Sequence, residues 1–212
     1  MDPTRICIVR HGETAWNAEK RIQGQIDIPL NPAGLAQAGA AARWLSGAPV
    51  AALYSSDLLR AQQTALRIAE VLKLNPVLQP AVRERRYGLF EGLTYEEARQ
   101  QHPALYGDFE NRVPDFALPA GGESLQQLHL RVTACLHGIA ARHPGQTVVL
   151  VTHGGVLDII NRFVRGNPLE LPRDFLIPNA AINWIACSGD VWTLASWGET
   201  AHLATISRDE LP

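Results

Sequence analysis

The chain has 212 residues, 46% hydrophobic and 19% charged, with a net charge of -2. That is ordinary globular composition, long enough to bury a core without disulfides or metals, and it excludes disorder, collagen and coiled coil as whole-chain descriptions. The near-neutral charge lacks the basic excess of a nucleic-acid binder, and no apolar run approaches the ~20 residues of a membrane span.

Ile6–Arg10 is a short continuous apolar run, the mark of a strand buried on both faces. It is too short for a signal-peptide core. Asn31-Pro32 starts a helix, a capping residue followed by proline at the first helical position. That helix carries Leu35, Ala38, Ala42 and Leu45, and Gly47 with Pro49 ends it. Ala51–Ser55 is a weaker strand, and Ser56-Asp57 then caps a second helix through Leu72. Pro76–Leu78 is strand-like. Residues 88–122 differ in character, with Pro103, Pro114 and Pro119 among the aromatics Tyr95, Tyr106, Phe109 and Phe116. They read as an insertion with a helix or two over the sheet's edge.

Ser124–Arg142 is a third helix, Val148–Thr152 a second fully buried strand, and Gly155–Arg165 a fourth helix with apolar residues at helical spacing. Ala181–Cys187 and Val191–Trp197 flank Ser188-Gly189-Asp190, a hairpin signal. Buried strands alternating with helices predict an α/β fold. The expected architecture is a three-layer sandwich: a mainly parallel sheet with an antiparallel strand, helices on both faces, and a small helical insertion over the active site. The expected organisation is one domain over residues 1–212, with the insertion as a lid. Cys7, Cys135 and Cys187 are odd in number and scattered, so they read as reduced thiols of a cytoplasmic protein and not as a zinc site. The terminal hairpin offers an edge strand, compatible with a monomer or a homodimer.

The chemistry lies in an internal echo. Ile8-Val9-Arg10-His11-Gly12 and Leu150-Val151-Thr152-His153-Gly154 are both buried strands ending in His-Gly. Ligands of open α/β sheets bind beyond the carboxyl ends of the strands, so the two imidazoles are expected in one pocket. Either histidine alone is more often a satisfied residue at a strand end; the pair, with two arginines, favours a site. Arg10 adjoins His11. Arg60 lies in the first turn of a helix that leaves a strand, where the helix dipole also favours anions. Guanidinium forks match phosphate oxygens. The bland alternative for Arg60 is an ion pair with Asp57 at i+3 spacing. Glu84, among Arg83, Arg85 and Arg86, is either a surface ion pair or the acid that protonates a leaving oxygen.

These segments resemble the signature of the histidine phosphatase superfamily, the phosphoglycerate mutase-like proteins. The resemblance runs from Ile8 to Asn17, through Arg21-Ile22-Gln23-Gly24, Asp27–Asn31 and Gly34, to Tyr54–Ala61, Glu84–Gly92 and Thr152-His153-Gly154. It implies that His11 is a nucleophile that becomes phosphohistidine, with Arg10, Arg60 and His153 holding the phosphate. Thr14, Asn17, Gln23, Gly24 and Gly154 would add contacts, and Glu84 would be proton donor and then base. No metal or cofactor is implied. Glu84-Arg85-Arg86-Tyr87 matches the mutase form, so Arg85 and Tyr87 are candidate substrate contacts.

Two departures separate this chain from true mutases. Gly155 stands where they carry Asn. Between Thr94 and Gly122 there are only Arg99 and Arg112, far apart, in place of an adjacent arginine pair that grips the substrate carboxylate. The expected function is therefore a metal-independent phosphomonoesterase acting on a small phosphorylated metabolite. A phosphoglycerate mutase or fructose-bisphosphatase-like enzyme is the alternative, and a non-catalytic phosphate-binding protein a distant third. The five tryptophans and His102, His129, His137, His143 and His202 read as packing or surface residues.

Overall fold

The computed structural model describes residues 2–205. The chain runs β1 (Thr4–Arg10), α1 (Ala15–Ala18), α2 (Pro32–Trp44), β2 (Val50–Ser55), α3 (Leu59–Leu72) and β3 (Val77–Leu78). The insertion then forms α4 (Tyr95–Gln101) and α5 (Pro103–Glu110). It is followed by α6 (Leu125–Arg142), β4 (Thr147–Thr152), α7 (Gly154–Arg165) and the strands β5 (Ile182–Ser188) and β6 (Val191–Glu199). The sheet order is β3-β2-β4-β1-β5-β6. β3, β2, β4 and β1 pair in parallel, and β5 pairs antiparallel with both β1 and β6. The predicted three-layer α/β architecture, with its antiparallel strand, is what the chain adopts.

The two apolar strands lie side by side at the sheet's centre, with Ile6 opposite Val148 and Arg10 opposite Thr152. Successive side chains point to opposite faces, which is why both strands need continuous hydrophobicity. Ile6, Ile8, Val148 and Leu150 pack under α6 and α7. Cys7, Val9, Val149 and Val151 pack under α2 and α3. Because β1 and β4 are parallel and in register, both end at one edge, and His11 N–H donates to Thr152 O across that edge at 2.9 Å.

The start of the second helix corrects the sequence reading. Ser56 and Asp57 do not cap α3; its first residue is Leu59 and Leu58 precedes it with no side-chain cap of its own. Asp27, from the loop after α1, supplies the oxygen instead, accepting from Leu59 N–H at 2.6 Å. Asp57 is drawn away by Arg83, which pairs with both its carboxylate oxygens. The insertion has a small core of its own, in which Phe90, Ala98, Tyr106 and Leu118 pack with Ile22.

Candidate active site

His11 and His153 meet, with ring centroids 5.1 Å apart. Both are buried. His11 Nδ1 lies 2.7 Å from its neighbour's carbonyl, Gly12 O. A carbonyl only accepts, so the proton sits on Nδ1 and the Nε2 lone pair is free. The His11 carbonyl itself accepts from Ala180 N–H at 3.2 Å and from Asn179 Nδ2 at 3.1 Å, which ties the strand end to the loop before β5. His153 Nε2 lies 2.7 Å from Ser56 Oγ, while its Nδ1 is buried without a partner.

The guanidiniums flank this pair. Arg60 is buried and donates to Gly24 O at 2.8 Å and Ile26 O at 3.0 Å. Among the described residues no carboxylate bonds to it, and Asp57 pairs with Arg83 instead of at i+3 spacing. Burial pulls its pKa down to about 10. Arg10 donates to Ile177 O. The Nε atoms of both arginines are buried without partners. With His153 Nδ1, that makes three buried nitrogens in neighbouring side chains to which the protein supplies no acceptor. A buried donor without a partner is destabilising by about 1–3 kcal/mol, and a tetrahedral oxyanion satisfies several at once. Burial first, then Arg60, pushes both imidazole pKa values well below the ordinary histidine range; Arg10 adds to the effect. Both rings are therefore held in the neutral form.

Glu84 reaches the same edge from the loop after β3. Its carboxylate accepts from Gly155 N–H at 3.0–3.1 Å and from Arg85 N–H at 2.7 Å. Gly155 is needed for this: a Cβ there would lie 2.3 Å from Glu84 Oε1. Thr14 and Asn17 form the capping box of α1. Asn17 Oδ1 takes three donors, from Thr14 N, Thr14 Oγ1 and Asn179 Nδ2, which orients its amide. Gln23 is buried, with Oε1 unpartnered. Gly24 has φ +52, a left-handed turn that brings its carbonyl to Arg60. Gly154 begins α7 against the Arg10 guanidinium.

A cavity of about 520 Å³ opens from Arg10, Glu84 and Gly154. Arg85 and Tyr87 line it. Arg85 is pinned by Glu123 O and Phe116 O and lies over the Tyr87 ring. The insertion contributes Tyr95, Phe109, Glu110 and Arg112, so residues far apart in sequence reach the site's wall. From sequence Ser56 read as a helix cap and Arg112 as an isolated arginine of the insertion, and Asn179, Asp158 and Arg173 were not singled out. Among the described residues, no three His, Cys, Asp or Glu side chains converge as a metal site would need, and no helix is long and apolar enough to cross a membrane. The remaining histidines pack as expected: His137 against Phe163 and Trp192, His143 on Tyr54.

Comparison with known proteins meets this geometry. A family model described as "Histidine phosphatase superfamily (branch 1)" matches residues 6–200. The Arabidopsis thaliana protein named "Metal-independent phosphoserine phosphatase" is 41% identical over 206 residues, covering 96% of this chain and 84% of its own. "Phosphoglycerate mutase-like protein 4", also from Arabidopsis thaliana, is 40% identical, with 96% and 88% covered. Among solved structures, that of Bacillus stearothermophilus YhfR superposes with a TM-score of 0.88 at 30% identity, covering 94% of this chain and 99% of that one. A match over nearly the whole length, with two strand-end histidines meeting where the fold predicts a ligand, makes this chain a member of the histidine phosphatase superfamily, branch 1.

Proposed function

We propose that the chain is a metal-independent phosphomonoesterase that hydrolyses a small phosphorylated metabolite through a phosphohistidine. What carries this is the meeting of two neutral imidazoles, 5.1 Å apart, between two arginines whose Nε atoms have no partners. The name of the relative described as metal-independent agrees with a site whose positive charge comes from guanidiniums.

In the first step His11 Nε2 attacks phosphorus, the bond to the leaving oxygen breaks, and Glu84 gives that oxygen a proton. Arg10 and Arg60 stabilise the charge on the nonbridging oxygens, and His153 donates from Nδ1. The amides of Asn17 and Gln23 and the N–H groups of Gly24 and Gly154 add contacts, and Thr14 holds Asn17. In the second step water attacks the phosphohistidine, Glu84 takes its proton, and phosphate leaves with His11 neutral again. The neutral resting state of His11 follows from its depressed pKa, so the nucleophile needs no base to deprotonate it. A cytoplasmic setting suits Cys7, Cys135 and Cys187, all buried free thiols.

His11→Ala is expected to abolish hydrolysis of an aryl phosphate and to leave no acid-labile phosphoryl label on the protein. Undiminished turnover rejects the nucleophile. Glu84→Gln is expected to slow esters with poor leaving groups far more than aryl esters, and equal losses reject the proton donor. Activity is expected to persist in a chelator. The mutase-like relative keeps a second reading in play; 3-phosphoglycerate with a bisphosphoglycerate primer, assayed for 2-phosphoglycerate, decides it.

A further inference from the structure

Glu84 stands in a stretch without regular structure: residues 83–87 belong to no strand and no helix. A proton donor must be held within about 0.5 Å of its working position, and an unsupported loop does not do that. Support comes from α6. Arg131, on its second turn, donates from Nη2 to Glu84 O at 3.1 Å and from Nη1 to Ala81 O at 2.8 Å. One guanidinium thus grips the backbone at both ends of the segment from Ala81 to Glu84. Glu84 O also accepts from Gln25 Nε2 at 3.0 Å.

The guanidinium is itself fixed. Its Nε and Nη2 pair with the two carboxylate oxygens of Glu123 at 2.6 and 2.8 Å, a bidentate fork. Glu123 receives the rest of the loop. Its carboxylate accepts from Arg86 N–H at 3.4 Å and its carbonyl from Arg85 Nε at 2.7 Å, while its N–H donates to Arg86 O at 2.8 Å. The next residue, Ser124, caps α6, so the pair is anchored at a helix end. Neither side chain lines the substrate cavity; both line a separate hollow of about 480 Å³. An ion pair with partners 23% and 15% exposed adds little stability by itself. All three nitrogens of Arg131 are nevertheless engaged, and every bond outside the pair goes to the loop that carries Glu84.

We infer that Arg131, held by Glu123, is the positioning residue of the proton donor: by gripping the Ala81 and Glu84 carbonyls it sets where the Glu84 carboxylate meets the leaving oxygen. This rests on the reading of Glu84 as proton donor and deepens it. Lysine could not serve in its place. An ammonium is a single point on a flexible stem, whereas the planar guanidinium meets two carbonyls and a carboxylate in fixed directions.

The test measures kcat/KM, which reports the step that expels the leaving group, on an alkyl and an aryl phosphate. Arg131→Lys and Glu123→Gln are each assayed alone and combined with Glu84→Gln. A merely structural defect removes active molecules and lowers both esters alike. A misplaced proton donor spares the aryl ester, whose leaving group departs without a proton. Arg131→Lys is expected to slow the alkyl ester about tenfold more than the aryl ester, the scale of a small misplacement of a reacting group, with the phosphate Ki unchanged. Glu123→Gln turns an NH₂ group toward the Arg131 fork. It is expected to act in the same direction to a lesser degree, and it decides the matter if the lysine variant does not fold. In the Glu84→Gln background neither substitution should widen the gap between the esters further. Equal losses on the two esters from both substitutions, or an additive widening in that background, overturns the positioning role. If Glu84→Gln discriminates between the esters and the two substitutions do not, the positioning role alone falls; if Glu84→Gln does not discriminate either, the proton donor falls with it.

Discussion

Which nitrogen of His153 carries a proton decides whether it can serve a phosphate, and Ser56 makes that choice. Leu58 N–H donates to Ser56 Oγ at 3.3 Å, which leaves the hydroxyl hydrogen for His153 Nε2, 2.7 Å away, when that nitrogen is the acceptor. In that arrangement the imidazole holds its proton on Nδ1, the buried nitrogen without a partner. Ser56→Ala removes this preference. The variant is expected to lose about tenfold in kcat, the scale of losing one orienting partner. Its His153 ¹⁵N shifts should move from the Nδ1–H tautomer toward a mixture; unchanged shifts reject the role. From sequence, Ser56 passed for a helix cap, because nothing local says that a histidine 97 positions away takes its hydroxyl. His11 and His153 were legible for the opposite reason. Each ends a buried strand, and that pattern is local. Arg112 and Asp158 are single charges in polar surroundings, and only tertiary packing brings them together.

Helix termini decide the placement of Arg60 and Glu84. Arg60 rides on the first turn of α3, and that turn is fastened by Asp27. Asp27→Ala is expected to lower stability by about 1 kcal/mol, the usual value of a cap. That is a fall of about 2–4 °C in Tm for a chain this size. It should also weaken inhibition by phosphate as the Arg60 turn frays; an intact phosphate Ki separates the cap from the site. The opposite face of the pocket depends on α7, whose second residue must lack a side chain. At Gly155 a Cβ would meet Glu84 Oε1 at 2.3 Å and the Tyr87 hydroxyl at 3.3 Å. Gly155→Ala suits helix propensity by about 1 kcal/mol, so Tm should hold or rise. Turnover of alkyl phosphates should fall more than that of aryl phosphates as the carboxylate is displaced. An Asn at this position, the mutase pattern, could not leave Glu84 where it stands. Helix ends are thus where sequence reading was least complete: it found the helices from periodicity, but the α3 cap comes from a distant loop.

On the scale of the whole molecule, the sheet was readable because its two central strands are apolar on both faces, and their shared register brings the two His-Gly ends together. That arrangement buries two neutral imidazoles beside two guanidiniums, and stability must depend on pH as a result. In the folded protein both histidines have pKa values well below the usual 6.5, through burial and then Arg60. In the unfolded chain each takes up a proton as pH falls through about 6.5. Below that point the unfolded state binds more protons, so their effect is absent above about pH 7 and stability falls as the solution is acidified. The limiting slope is about 1.4 kcal/mol per pH unit for each ring. His129 and His202 are also lowered and add smaller contributions in the same direction. Phosphate should counter the loss by binding only the folded state. At a hundred times its Kd it adds about 2.7 kcal/mol, or about 5–10 °C in Tm. Melting curves between pH 5 and 7.5, at constant ionic strength with and without phosphate, are expected to show a steep acid limb that phosphate lifts. Replacing both His11 and His153 with Asn should flatten that limb and remove most of the lift. A limb that survives the double substitution would place its origin in other groups and leave the two rings free to be charged.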